Sequence, residues 1–222
     1  MAAKAVRWLL GILLIPACVG YSQVFYAQLA GTRRVGDPGL SILLGITAYL
    51  AYHVLVAPPS RMYVLGHEIT HAAAAWVSGG EVKGIKVGAK SGSVKTNKVT
   101  GLIALAPYLV PVWAVLWSLA YGAAGLLWKG TAAWMSWFFF GLGAALAFHL
   151  VFTVDALKQK QTDLEVWGPA LSLALIYWMN LAWVVGIMAL VAPEIRFTEY
   201  LAQGFRQSRG LYTAIFTQLF IR

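Results

Sequence analysis

His67-Glu68-Ile69-Thr70-His71 holds the residues of this chain best suited to chemistry. On a helix His67 and His71, four apart, project from one face, the geometry that lets two imidazole nitrogens reach a single zinc ion. Glu68 between them can hold a metal-bound water and act on it as general base. The motif takes two of only 4 histidines in the chain. It lies between Arg61 and Glu81 in a stretch where Glu68 is the only other charged residue. An unpartnered polar group in a bilayer costs several kcal/mol, so three together imply a metal or a water-filled site.

A catalytic zinc needs a third protein ligand and an open position for water. The candidates are His53, His149, Asp155 and Asp163. At 1.5 Å per residue, His71 lies about 12 Å and His67 about 18 Å below the membrane face marked by Gly79. A ligand must reach that depth from the same face. If the spans alternate, Asp155 and Asp163 lie on that face, with His149 buried below it and His53 toward the opposite one. Asp163 stands on a polar segment before the last span that could dip inward. Asp155 reads equally as an interfacial charge paired with a neighbouring lysine, and His149 as an alternative ligand or a supporting group.

The elements that carry these residues follow from composition. Of 222 residues, 60% are hydrophobic and 11% charged, far below the roughly 25% charged content of soluble domains. Uncharged stretches at 8–32, 38–60, 99–128, 130–154 and 166–193 each exceed the ~20 residues a helix needs to cross a bilayer. With the motif segment they predict an all-α polytopic membrane protein of about six transmembrane helices, a multi-pass protein of the cell membrane. Cys18 is the only cysteine, which excludes an intrachain disulfide and a thiolate metal cluster. The net charge of +9 is spread over short loops, which points to lipid headgroups of the bilayer as partners and not to nucleic acid. Those charges are balanced between the two sides of six alternating spans, so they do not fix the orientation.

After the motif, Ser78-Gly79-Gly80 stops the helix. Residues 81–98 then alternate valine or isoleucine with lysine and glycine, predicting a short β-hairpin whose edge could receive an extended peptide. Pro107 and Pro111 interrupt the next span; a proline there kinks the helix and frees carbonyls beside a polar site. Residues 1–193 read as one transmembrane domain. The tail, 194–222, mixes aromatics with arginine and glutamine, as an interfacial amphipathic helix or a partly disordered end would.

Gly66-His67-Glu68-Ile69-Thr70-His71, followed by Gly79-Gly80-Glu81-Val82, the ribbon and Ala106-Pro107, resembles the site-2 protease family of intramembrane zinc metalloproteases. The resemblance implies a zinc metalloendopeptidase that hydrolyses membrane-embedded or membrane-associated protein substrates. It also implies that the third ligand is an aspartate at the start of a later transmembrane helix. The family's Leu-Asp-Gly is absent here; the corresponding place is Asp163, followed by Leu164 and, five residues on, Gly168. The inserted peptide-binding domain of some members is also missing. The alternative is a non-catalytic metal-binding membrane scaffold or regulator of the same family, against which the intact Glu68 speaks. A proton pathway would call for further buried acids, and Glu68 is the only one deep within a span.

Overall fold

The computed structural model describes residues 2–32, 36–89, 91–159 and 161–221. Packing divides the chain into two units, Met1–Gly36 with Trp167–Arg222, and Asp37–Val166. The motif lies in the second.

In Asp37–Val166 the longest contact is between two apolar helices, α2 (Asp37–Leu55) and α6 (Met135–Leu157). Glycine lets their backbones meet: a Cβ on Gly45 would strike the Phe140 carbonyl, and one on Gly143 the Ile42 carbonyl. Small residues allow this approach where lipid supplies no hydrophobic drive between helices. Further along, Tyr49 packs on Phe148 with ring centroids 5.6 Å apart, and His53 on Phe152 at the same distance. Residue numbers rise together on both helices, so α2 and α6 run parallel. Six alternating full spans would set them antiparallel, and the expected distribution of residues between faces is corrected accordingly. His53, assigned above to the far face, sits 3.8 Å from Asp155.

The reason lies in the segments between them. α3 (Ser60–Val77) has 18 residues but carries Arg61, His67, Glu68 and His71. α4 (Gly101–Leu109) and α5 (Val112–Leu127) are bent by 69° at Val110-Pro111. Four helical segments among the described residues are long and apolar enough to cross a membrane: 4–31, 37–55, 131–157 and 169–188. Counting the bent α4–α5 pair as one span gives five.

α3 ends in a Schellman motif. Gly79, at φ +74°, takes the left-handed conformation open to glycine. The Gly80 N–H bonds the Ala75 carbonyl at 2.7 Å and the Gly79 N–H the Trp76 carbonyl at 2.9 Å. The chain then forms the expected antiparallel hairpin, β1 (Val82–Val87) and β2 (Gly92–Thr96), with Ile85 opposite Val94, Val87 opposite Gly92, and a bulge at Val82/Gly84.

In the other unit, α1 (Ala2–Gly31) lies beside α7 (Pro169–Met188) and α8 (Phe197–Phe220). Gly11 abuts Ala170 and Tyr21 packs edge-on against Trp178, so α1 and α7 are parallel. The tail is the continuous helix α8, antiparallel to α1: Tyr200 packs by Val24, Gly204 on the Tyr21 ring, Ser208 by Gly20, and the Tyr212 hydroxyl donates to the Leu13 carbonyl.

Candidate metal centre

α3 turns both motif histidines toward the 3-10 turn at Thr162–Glu165. Their Nε2 atoms are 3.1 Å apart, and Asp163 Oδ2 lies 3.5 Å from that of His67 and 3.6 Å from that of His71. Metal–nitrogen and metal–oxygen bonds of about 2.0–2.2 Å at tetrahedral angles give ligand–ligand edges of roughly 3.3–3.6 Å. The two edges to Asp163 match that size and the edge between the imidazoles is slightly shorter, so His67, His71 and Asp163 form a group that could hold a metal ion.

The surroundings orient each member. His71 Nδ1 lies 2.8 Å from the Ile103 carbonyl. A carbonyl only accepts, so Nδ1 carries the proton and Nε2 presents its lone pair to the cluster. The carbonyl is available because Pro107, four residues on, lacks the N–H that would bond it within α4. Tyr108 donates to Asp163 Oδ2 at 3.1 Å and lies 3.2 Å from Gln161 Oε1, while Gln161 Nε2 donates to the Ala156 carbonyl at 3.1 Å. The buried Leu164 anchors the turn on its other side. His67 Nδ1 is buried with no hydrogen-bond partner among the described residues, and the ring rests between Tyr63 and Tyr108.

Glu68 is 5% exposed. A Cβ on Gly92 would come within 2.6 Å of its Cγ and 2.7 Å of its Oε1, so β2 crosses the glutamate at a position that only glycine fits. Glu68 and the three clustered residues line one cavity of about 980 Å³. Tyr63, the β2 residues Gly92, Ser93 and Val94, and the end of α6 at Phe152 and Asp155 complete its wall. The clustered side chains are 13%, 14% and 24% exposed, which leaves them open to water.

The other sequence candidates lie outside the triangle. Asp155 accepts from Lys158 at 2.8 Å and faces His53, whose Nδ1 is 3.0 Å from the Tyr49 hydroxyl. That is the interfacial pairing considered above. His149 lines a separate small cavity of about 20 Å³ with Gly66, Thr70 and Trp113, on another side of His67. Sequence reasoning passed over Tyr108, Gln161 and Gly92. Tyr108 lies in the proline-bounded Ala-Pro-Tyr-Leu-Val-Pro, whose prolines signal a break in the helix and carry no sign of a hydroxyl that reaches Asp163.

Compared with protein-family models, curated proteins and solved structures, the chain matches none.

Proposed function

We propose that the protein is an intramembrane zinc metalloprotease of the site-2 protease type, hydrolysing peptide bonds of membrane-embedded or membrane-associated proteins. The observation that carries this reading is the placement of Glu68 in the same cavity as the His67–His71–Asp163 triangle. A purely structural metal site needs no carboxylate at that position and no cavity. The family of six-span enzymes is the finer reading of the four to five apolar spans, with the motif helix α3 as a further segment.

His67, His71 and Asp163 would hold the zinc, and two neutral imidazoles with one carboxylate suit that ion. Bound there, zinc would supply Lewis acidity toward a water and a peptide carbonyl. Glu68 takes the proton released as water oxygen bonds the carbonyl carbon, and returns it to the amine nitrogen as the C–N bond breaks. Asp163, fixed by Tyr108, offsets positive charge at the site. Ile103 keeps His71 in the ligating tautomer. β2 offers backbone groups to a substrate stretch that has left its helix, since a helical peptide keeps its carbonyls bonded and shielded.

Glu68→Gln is expected to retain zinc, measured by metal analysis of the purified protein, and to lose cleavage of a reconstituted membrane substrate by at least 100-fold. Undiminished proteolysis would remove Glu68 as the base. Asp163→Asn should lose the metal while His149→Ala keeps it; the reverse result would move the third ligand to α6.

A further inference from the structure

α8 carries Arg206 and Arg209 on a face turned away from α1; both are exposed, and neither has an acidic partner among the described residues. α8 is not among the four segments apolar enough to span by composition, so its packing against α1, which is one of them, sets the depth at which these arginines would lie. α7 is a 20-residue apolar helix, about 30 Å long and so matched to the hydrocarbon core. Its midpoint falls at Trp178 and Met179. The Tyr177 hydroxyl is 2.7 Å from Ser22 Oγ and Trp178 packs on Tyr21, which marks the same level on α1. Tyr21 in turn fills the space beside Gly204 of α8. Arg206, two residues on, is therefore about 3 Å from the midplane, and Arg209 about 7.5 Å. With a half-thickness of about 15 Å, Arg206 is farther from either interface than an arginine side chain extends.

We propose that α8 crosses the membrane with α1 and α7, and that its Arg206–Arg209 face docks a transmembrane helix of another protein carrying an aspartate or glutamate near its own midpoint. A charge at this depth is tolerated when it is paired, and the pairing partner must be anionic. A second copy of this chain does not supply it. α1 and α7 contain no acid, Glu199 near the start of α8 pairs with Arg196 at 2.8 Å, and Asp37 and Asp155 lie at the ends of α2 and α6. The remaining mid-helix acid, Glu68, is covered by Gly92. Exposed Leu201 and Phe205 beside the arginines give the apolar flank a partner helix would pack on. The proposal depends on membrane insertion of α1, α7 and α8 and not on the chemistry at Glu68.

Two measurements on the full chain test it. In sealed vesicles, Thr198→Cys and Phe220→Cys, each in a Cys18→Ser background, should react with an impermeant maleimide from opposite sides. Reaction from the same side would place α8 on the surface and overturn the proposal. In the same vesicles, energy transfer to a synthetic oligoleucine transmembrane peptide with one central glutamate should show association at least 10-fold tighter than to the all-leucine peptide. The combined variant Arg206→Gln with Arg209→Gln should abolish that preference with unchanged helix content. Equal binding of the two peptides, a preference that survives the double substitution, or arginine-dependent self-association of the protein would each overturn the proposal.

Discussion

The Ile103 carbonyl is bonded across to His71 Nδ1 at 2.8 Å instead of along its own helix. Pro107, at the position whose N–H would otherwise take that carbonyl, makes the bond available. Pro107→Ala restores the donor and places it in competition with the imidazole. Loss of such outer contacts typically weakens metal binding 10–100-fold; because a carbonyl has two lone pairs, the expected loss of zinc affinity is about 10-fold. Chelator competition on the purified protein measures it, and unchanged affinity would show that the bond does not set the tautomer.

Tyr108 is expected to act as a positioning residue. Tyr108→Phe removes the hydroxyl that reaches Asp163 Oδ2 and Gln161 Oε1 while leaving the buried ring in place. The turn at Thr162–Glu165 then loses its tie to α4. A roughly 10-fold loss of zinc affinity is expected, with helix content intact. Excess zinc should restore most of the activity, which a direct role in bond cleavage would not allow.

Gly92→Ala sets a methyl group within 2.6 Å of Glu68 Cγ. Cleavage should fall by more than 10-fold while bound zinc remains stoichiometric, since neither histidine is touched. Gly84→Ala on the same hairpin meets nothing within 4 Å and serves as the control. Equal activity of the two variants would show that β2 moves freely off the glutamate.

Gly143→Leu drives a side chain into the Ile42 carbonyl of α2. Overpacking of this kind costs about 1–3 kcal/mol, and the upper end is expected because the obstacle is backbone. Gly122→Leu, in open space on α5, should be close to neutral. Thermal unfolding in detergent compares them.

The local devices were legible because they rest on short-range rules. Spacing of four placed both histidines on one face, Gly79 marked the end of α3, and alternating valine, isoleucine and lysine gave the hairpin. Asp163 was found as a polar residue before an apolar helix, and the structure brings it to the motif. The parallel course of α2 and α6 was not legible, because an apolar run reports length and not direction. Val99 to Trp128 looks like one straight span until the break at Val110-Pro111 bends it, and the side on which later residues emerge changes with that bend. The pairing of α8 along α1 was hidden for a related reason. Composition records its arginines and glutamines but not that Gly204 fits Tyr21 and Ser208 fits Gly20.

Because α2 and α6 point the same way, both bring their carboxyl ends to one place: Pro58, just past α2, and Asp155 and Ala156, in the last turn of α6, all line the cavity. Each helix end carries roughly half a negative charge from its unpaired carbonyls. Ser60, at the amino end of α3, and Ile103, in the first turn of α4, line it too, and those ends carry the opposite sign, so the cavity is ringed by helix ends of both charges.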